Sequence, residues 1–185
     1  MRAIRNATIA FAAVAALAGP AVAQATKTVG GAPMFPSKSI VENAVNSKDH
    51  TTLVTAVKAA GLVDTLASAG PFTVFAPTNA AFAKLPAGTV ETLVQPQSKG
   101  TLTAVLTYHV VPGRYTAQDL VAAVKQGGGQ ATLRTAQGGT LTVLPGKSGK
   151  SLFVADAKGN TSRVTIPDVM QSNGVIHVVD TVVMP

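Results

Sequence analysis

The order of helix-like and strand-like segments constrains the fold of this chain more than any other feature. Before the glycine run at 127–129, apolar residues recur at helical spacing in short segments that end at Gly or Pro. After it, short runs of Val, Leu and Thr alternate with Gly, Asn and Asp, which is typical of strands joined by turns. Helices first and strands later predict an α+β domain, because a repeating βαβ chain would alternate the two.

Capping signals predict where several helices begin. Ser39 with Glu42, and Thr116 with Asp119, have the three-residue spacing of a capping box. Thr78 is a good N-cap, because its hydroxyl can accept a hydrogen bond from a free amide of the first turn. These signals and the apolar spacing predict short helices at 39–45, 53–60, 62–66, 78–85, 89–94, 99–106 and 116–125.

Strand signals are densest in the second half of the chain. Asn173-Gly174 is the strongest hairpin signal, because both residues tolerate the positive backbone angles of a tight primed turn. The run at 175–179 that follows it is almost continuously apolar, which predicts a strand buried on both faces. The strands predicted in this way lie at 72–75, 108–111, 131–135, 140–144, 152–155, 162–166 and 175–179.

The first 23 residues have the pattern of a secretory signal peptide. Arg2 and Arg5 precede an alanine-rich apolar run at 7–18, and the small-x-small sequence at 21–23 suits cleavage before Gln24. A membrane anchor is the alternative, but this run is shorter than the about 20 apolar residues that a spanning helix needs. The pattern therefore predicts export, to the periplasm or the extracellular space, as a soluble protein.

The rest of the chain is expected to form one domain. Residues 24–36 are polar with Gly and Pro, which predicts a flexible leader, and 37–185 are long enough for a substantial core. With no Trp and few aromatic residues, that core should consist of Val, Leu, Ile and Ala. The absence of Cys excludes a thiol nucleophile and thiolate metal sites. No later apolar run is long enough to span a membrane.

Positive charge is concentrated in one segment of the second half. The formal net charge of +7 becomes +5 without Arg2 and Arg5. Nucleic-acid binders usually combine dense basic charge with a recognition element or stacking aromatic residues, and neither is visible here. A solvated surface and a weak patch for an acidic polysaccharide or another polyanion both remain open. The basic residues of this segment, opposed by Asp156 alone, are Arg134, Lys147, Lys150, Lys158 and Arg163.

Three stretches, at 72–82, 108–113 and 173–180, together resemble the signatures of the fasciclin domain family, in the family's order and approximate spacing. The resemblance covers about residues 39–185. It implies a wedge of two small β-sheets with a cluster of short helices packed alongside. It also implies adhesion, of cell to cell, of cell to matrix, or of a bacterium to a host or surface. The expected partner is therefore a cell-surface or matrix protein or, through the basic segment, an acidic polysaccharide.

The resemblance also implies roles for individual residues. Tyr108 and His109 match a tyrosine-histidine pair implicated in integrin contacts in animal members of the family. Asp168-Val169 falls where those members often carry Asp-Ile, so these four residues are candidate partner contacts. The residues that match the structural signatures are Thr78, Asn79, Asn173, Gly174 and His177.

The histidines and serines do not form a catalytic pattern. His109 and His177 lie in apolar surroundings, which predicts buried rings with hydrogen-bond partners nearby. His50 follows Asp49 at a helix start and is expected to be exposed. The histidines lack metal-ligand spacing, and no Gly-x-Ser-x-Gly sequence occurs. We therefore expect adhesion or surface interaction without enzymatic activity or a cofactor. The alternative is a binding module for an envelope polysaccharide, a lipid or another small ligand.

Overall fold

The computed structural model of the protein describes residues 25–146 and 151–185, so the predicted signal peptide lies outside the described residues. The helices precede most of the strands, which confirms the predicted α+β class. The helices are α1 (Ile40–Ala44), α2 (Thr51–Ala60), α3 (Val63–Ala67), α4 (Asn79–Ala83), α5 (Thr89–Leu93), α6 (Lys99–Tyr108) and α7 (Ala117–Gln126). Single 3-10 turns precede α2 (Lys48–His50) and α6 (Pro96–Ser98). The strands are β1 (Lys27–Val29), β2 (Ala32–Met34), β3 (Phe72–Pro77), β4 (Val110–Pro112), β5 (Ala131–Arg134), β6 (Thr140–Pro145), β7 (Leu152–Ala155), β8 (Thr161–Gln171) and β9 (Gly174–Val179).

The main sheet has the strand order β4-β3-β9-β8-β7-β6-β5, and only β3 and β9 pair in parallel. Strand β8 is eleven residues long and serves both halves of this sheet. Its first part pairs with β7 and its second part with β9, with register shifts between 164 and 169. Such bulges bend a strand, so β8 joins the two small sheets that the resemblance implies. The two ends of the sheet approach each other where the amide of Ala136 donates to the carbonyl of Val110 at 2.7 Å.

Two apolar clusters pack on opposite faces of the central strands β3 and β9. Leu53, Leu102 and Ile176 belong to the cluster beneath α1 to α6, and Phe75 and Leu141 belong to the cluster enclosed by β5 to β8 and α7. All six residues of β9 are buried, which confirms a strand covered on both faces. Each fully buried Leu, Ile or Phe side chain contributes about 1.5–3 kcal/mol to folding, so these strands hold the two halves together.

The predicted flexible leader contains a hairpin that packs on the helical core. Strands β1 and β2 pair in antiparallel fashion, and the side chains of Val29 and Met34 are buried. At the turn, Gly30 has φ 58°, and a Cβ there would lie 2.4 Å from Ser47 Oγ. The prediction of a flexible segment is therefore wrong for residues 27–34. Each strand has only three residues, which is too short for a periodic pattern to be recognised in the sequence. The hairpin is stabilised by the core that it covers. The division of the chain at 23 and 36 stays a prediction.

The predicted strand at 108–111 begins two residues too early. Tyr108 is the last residue of α6, and His109 is its C-cap, with φ −82° and its amide donating to the carbonyl of Leu106 at 3.1 Å. Only Val110–Pro112 forms the strand β4. The apolar sequence runs from helix to strand without a Gly or Pro, so no local signal marks the change.

The hairpin between β8 and β9 is confirmed, but its turn differs from the predicted one. Gln171 pairs with Gly174, so Ser172 and Asn173 form the turn. Among the described non-glycine residues only Asp168 has a positive φ, at 55°, which excludes a primed turn here. Gly174 is the first residue of β9, and a Cβ at that position would lie 2.1 Å from the carbonyl oxygen of Phe72. Close approach of two strands, and not a positive φ, requires glycine there.

Candidate functional site

His109 is a buried structural bridge. The ring is 3% exposed, and its Nδ1 donates to the carbonyl of Val105 at 2.8 Å. Its Nε2 accepts from the amide of Val183 at 3.3 Å, so both ring nitrogens are occupied. Burial lowers the pKa of His109 to about 4, which leaves the imidazole neutral at pH 7. The side chain therefore ties the end of α6 to the C-terminal segment.

Tyr108 connects the same helix to the second half of the sheet. Its hydroxyl donates to the carbonyl of Thr140 at 2.6 Å and accepts from the amide of Ala157 at 3.2 Å. Burial raises the pKa of this hydroxyl. Next to it, the carboxylate of Asp156 accepts from backbone and side-chain donors in the β7–β8 turn and from the amide of Met184. Burial acts to raise the pKa of Asp156, but these hydrogen bonds outweigh it and lower the pKa.

His177 and Asp168 form a second bridge, on the other side of β9. His177 is 0% exposed and stacks on Phe75 with ring centroids 5.6 Å apart. Its Nε2 donates to the carbonyl of Tyr115 at 2.7 Å, and its Nδ1 accepts from the amide of Asp168 at 3.3 Å. The Oδ1 of Asp168 accepts from the amide of Ala117 at 2.6 Å. Aspartate tolerates positive φ better than most residues, so Asp168 can bend β8 and contact the start of α7.

The structure does not place the four candidate contact residues on one accessible surface. Tyr108, His109 and Val169 are buried, and the polar atoms of the first two are occupied within the chain. These three side chains are covered in this conformation, and the contact role that the resemblance implied for them stays a prediction. Asp168 is partly exposed, and its role as a contact stays a prediction.

Asn173 joins three segments that are distant in sequence. Its Oδ1 accepts from the amide of Ile40 at 3.0 Å, at the start of α1. Its Nδ2 donates to the carbonyls of Leu66 and Ser68, at 2.8 Å each, at the end of α3. The side chain is buried. Asn173 therefore holds the β8–β9 turn against the ends of two helices, which its assignment as a turn residue did not predict.

Thr78 and Asn79 make a similar junction at the start of α4. Thr78 is the N-cap, and its hydroxyl accepts from the amide of Ala81 at 3.2 Å, which confirms the predicted cap. The Oδ1 of Asn79 accepts from the amide of Thr52 at 3.0 Å, and its Nδ2 donates to the carbonyl of Lys48 at 2.8 Å. The conspicuous polar residues of the sequence signatures thus connect helices to the sheet.

Two of the five residues of the predicted basic patch, Arg134 and Arg163, lie on the outer side of β5 to β8, and a third, Lys158, is exposed in the β7–β8 turn. Arg134, Lys158 and Arg163 are exposed, whereas Lys147 and Lys150 lie outside the described residues. In the register, Arg134 pairs with Thr140 and Arg163 pairs with Phe153. Alternate residues of a strand share a face, and the pairing of β6 with β7 puts the partners of the two arginines on the same face of the sheet. Both arginines therefore point away from the core. We call Arg134, Lys158 and Arg163 the basic face.

An apolar cavity of about 60 Å³ lies between the β1–β2 hairpin, the helices α1 to α3 and α6, and the main sheet. His50 lies in its wall and is 4% exposed, so its expected exposure was wrong. The 3-10 turn before α2 directs the ring inward, and Nδ1 lies 2.9 Å from Ser47 Oγ. Burial lowers the pKa of His50. The spacing of Ser47 and His50 was visible in the sequence, but nothing local showed which way the ring points.

In 25–146 and 151–185, no group of three or more His, Asp or Glu side chains is arranged to hold a metal ion. None of the described helices has the length and apolar character needed to cross a bilayer.

Residues 48–185 match the family model described as Fasciclin domain. The chain belongs to the fasciclin domain family. This fasciclin domain protein is 45% identical over 188 residues to protein sll1483 of Synechocystis, which covers 96% of this chain and 95% of the relative. It is 40% identical over 147 residues to the immunogenic protein MPB70 of Mycobacterium bovis, covering 77% of this chain and 66% of that protein. It is 37% identical over 124 residues to the cell surface glycolipoprotein MPB83 of the same species. This match covers 67% of this chain and 48% of that protein.

A solved structure has the same fold. It is the FAS1 domain pair of the insect cell adhesion molecule Fasciclin I, matched with a TM-score of 0.69 at 21% identity. The match covers 80% of this chain and 51% of the insect chain. The fold implied by the resemblance is confirmed, with the long strand β8 connecting the two halves of the sheet.

Acid should destabilise this domain through its buried histidines. Between pH 6.5 and about 4 the unfolded chain binds a proton at His109 and the folded chain does not, so stability falls as the pH falls through this range. At about 1.4 kcal/mol per pKa unit, His109 alone contributes about 3 kcal/mol to that loss. We expect His109→Gln to be less stable at pH 7 by about 1–3 kcal/mol but to lose stability less steeply in acid. Urea unfolding from pH 7 to pH 4 measures both effects, and an unchanged pH slope would contradict this interpretation.

Proposed function

We propose that this protein is exported and acts by surface contact, in adhesion or a related interaction, without catalysis or a cofactor. One relative is named a cell surface glycolipoprotein, and the solved structure with the same fold belongs to a cell adhesion molecule. The predicted signal peptide at 1–23 is consistent with the same location, in the periplasm or outside the cell. The occupied polar atoms of Tyr108, His109 and His177 support structural roles for the most conspicuous side chains.

The observation that carries this proposal is the basic face. Arg134, Lys158 and Arg163 are exposed, whereas the carboxylate of Asp156 between them in sequence is buried and hydrogen-bonded within its own turn. Asp180 accepts a hydrogen bond from the amide of Arg163 at 3.0 Å, and its carboxylate lies 3.9 Å from Lys84 Nζ. The negative charge of Asp180 is therefore partly balanced by Lys84. An exposed positive surface of this kind attracts a polyanion. We therefore propose an acidic polysaccharide, at a cell surface or in a matrix, as the partner.

Removal of the three charges of the basic face should weaken attachment. We expect the triple variant Arg134→Gln, Lys158→Gln, Arg163→Gln to elute from immobilised acidic polysaccharide at lower salt than wild type. Attachment of wild type should itself weaken as salt rises, because exposed charges are screened beyond about 8 Å at physiological ionic strength. The melting temperature should stay within about 2 °C of wild type, because exposed substitutions rarely change stability by more than about 0.5 kcal/mol.

A matched control separates this face from net charge. Lys48, Lys99 and Lys125 are exposed and lie on other elements, so changing all three to Gln removes the same charge elsewhere. We expect this control to elute close to wild type. Equal losses in the two triple variants, or retention that is independent of salt, would rule out the basic face as the contact surface.

A second candidate function is the binding of a small ligand, for which the apolar cavity beside His50 is the specific observation. Pockets for small molecules are mostly apolar and contain a few polar groups that orient the ligand. A lipid or another apolar molecule fits such walls. A polysaccharide does not, because the many hydroxyl groups of the polysaccharide would lack hydrogen-bond partners.

A further inference from the structure

The two end strands of the main sheet, β4 and β5, face each other without forming a strand pair. The hydrogen bond from the amide of Ala136 to the carbonyl of Val110 joins them at one end. Beside this bond lies a groove of about 350 Å³, with Pro112 and Tyr115 in one wall and β5 in the other. We call this space the edge groove. A free strand edge of this kind is a template for another strand.

The register shows which main-chain groups of β5 point into the edge groove. Residues of an antiparallel pair alternate between those that bond to the partner strand and those whose N–H and C=O groups point away from it. The amide of Thr135 donates to the carbonyl of Gly139 at 2.9 Å, so residues 131, 133 and 135 bond to β6. Thr132 and Arg134 therefore direct their amides and carbonyls into the edge groove. Outside the strand pairs, no described residue forms a backbone hydrogen bond with these four groups.

The pairing of β6 with β7 supports the same alternation. The amide of Gly146 donates to the carbonyl of Ser151 at 2.7 Å, which continues the register of these two strands. Alternation from that bond directs the main-chain groups of Thr142 towards β7. Thr142 is the residue opposite Thr132, so the main-chain groups of Thr132 have no partner on β6.

Another extended chain matches these four groups. Two amides and two carbonyls that alternate along an edge are satisfied by a β-strand, because its donors and acceptors have the same spacing. Pro112 has no N–H, so β4 offers no donor there. Because β4 and β5 bound the edge groove on both sides, it admits a single chain and not the edge of a second folded sheet. Its volume is at the lower end of the about 300–1,000 Å³ of ligand pockets, which suits a short segment.

The walls of the edge groove favour particular side chains. Arg134 is exposed and forms no salt bridge with a described residue, so an acidic side chain on the residue opposite it would form a cross-strand ion pair. The next residue of the added strand points to the other face, where Val111 and Leu133 are buried, and is expected to be apolar. The residue after that lies opposite Thr132, and a second Thr suits this position.

We propose that the edge groove binds an extended segment of a partner protein, antiparallel to β5, with an acidic residue, an apolar residue and Thr in that order. The main-chain groups of Thr132 and Arg134 supply the hydrogen bonds, and Arg134 selects the acidic residue. This inference goes beyond the proposed contact with polysaccharide, because it depends on main-chain hydrogen bonds that a polysaccharide would not form as a strand.

Titration of a short capped peptide into the full chain tests the proposal. The peptide has Glu, Val and Thr in its centre and Ser on both sides, and the amide signals of the protein are followed by NMR. The amide protons of Thr132 and Arg134 should shift downfield and exchange more slowly with solvent, because they gain acceptors. The amide of Leu133 already bonds to β6 and should change less. Unchanged exchange at Thr132 and Arg134 with saturating peptide would overturn the proposal.

Two substitutions at Thr132 separate its amide from its side chain. Thr132→Pro removes the donor that faces the edge groove without removing a bond to β6, and proline is tolerated at such edge positions. We expect it to weaken peptide binding about 3- to 10-fold, as the loss of one net hydrogen bond implies. Thr132→Ala keeps the amide and should bind within about twofold of wild type.

A change in the peptide decides the matter if Thr132→Pro does not fold. Replacement of the Glu amide by an ester removes the donor to the carbonyl of Arg134 and keeps the shape of the chain. This ester should bind wild type about 3- to 10-fold more weakly than the parent peptide. Equal binding of the two peptides would contradict strand addition to β5.

The acidic residue is tested by a peptide with Gln in place of Glu. It should bind wild type about 2- to 5-fold more weakly, as a cross-strand ion pair implies. Arg134→Gln should remove this difference. If wild type binds the Glu and Gln peptides equally, Arg134 does not select an acidic segment and the proposal is wrong.

Further variants separate this inference from the polysaccharide proposal, because Arg134 belongs to both surfaces. Thr132→Pro should leave retention on acidic polysaccharide unchanged. The double variant Lys158→Gln, Arg163→Gln should weaken that retention and leave peptide binding within about twofold of wild type. A loss of peptide binding in the double variant equal to that in Arg134→Gln would show that net charge, and not the edge groove, attracts the peptide. A wild-type dimer that Thr132→Pro dissociates would place a second copy of the chain at this edge and overturn the proposal.

Discussion

Replacing Asn173 with alanine is expected to lower the free energy of unfolding by about 4 kcal/mol, a larger loss than any surface substitution in this chain. The variant removes a donor to the carbonyl of Leu66 and an acceptor for the amide of Ile40, both in buried surroundings. Each buried group left without a partner costs about 1–3 kcal/mol, and the lost side chain also leaves a cavity. For a domain of this size the melting temperature should fall by about 10 °C, as measured by circular dichroism or calorimetry.

Two further variants show that position and chemistry, and not the loss of any asparagine, cause this effect. Asn46 makes one exposed hydrogen bond, from its Nδ2 to the carbonyl of Glu42 at 2.8 Å, so Asn46→Ala should cost at most about 0.5 kcal/mol. Asn173→Asp keeps the size and the acceptor but cannot donate to the carbonyls of Leu66 and Ser68. It should be about as destabilising as alanine. If Asn173→Ala melts within about 2 °C of wild type, the three-segment junction does not stabilise the fold.

Gly174→Ala should be nearly as damaging, with a loss of about 3 kcal/mol or more. A Cβ at Gly174 would lie 2.1 Å from the carbonyl oxygen of Phe72 and 3.0 Å from its backbone N and C atoms. These are backbone atoms of β3, held in register with β9, so the methyl group cannot be accommodated by a side-chain movement. Relief requires the two central strands to separate where both apolar clusters meet. Overpacking of this kind typically costs about 1–3 kcal/mol even where side chains can adjust.

Two glycines elsewhere serve as controls for this steric explanation. Gly129 has φ 112° and open space around it, so Gly129→Ala reports backbone strain alone and should cost about 1–2 kcal/mol. Gly100 lies in α6 with open space and an ordinary φ, so Gly100→Ala should be neutral or stabilising by up to about 1 kcal/mol. Urea unfolding of the three variants measures the order. Equal losses at Gly174 and Gly129 would show that close approach of β3 and β9 is not what requires glycine.

The sequence predicted the elements whose signals are local. Capping boxes at Ser39 and Thr116 act within one helical turn, and the structure contains both. The strands after residue 130 were visible because alternation of apolar and polar residues reflects the two faces of a sheet. The hairpin at 27–34 and the helical end at Tyr108 were missed, because their conformations depend on the core they pack against.

The candidate sites divide in the same way. Burial of His109 and His177 followed from their apolar neighbours in the sequence, and the structure adds their partners. Exposure of the basic residues was expected from composition, but the common outward face of Arg134 and Arg163 required the register of β5 to β8. The inward turn of His50 had no local signal, because the 3-10 turn that directs it is stabilised by contacts with other elements.

By itself, the sequence determined the fold class, the positions of most helices and strands, the double burial of β9 and the family, because each depends on residue types at short spacing. Only the tertiary structure decided which polar side chains meet. The partners of Asn173 lie more than 100 residues away along the chain, and the cavity beside His50 is formed by a hairpin, four helices and a sheet. Such contacts arise when distant segments pack, and no periodicity in the sequence encodes which atoms are then left without a partner.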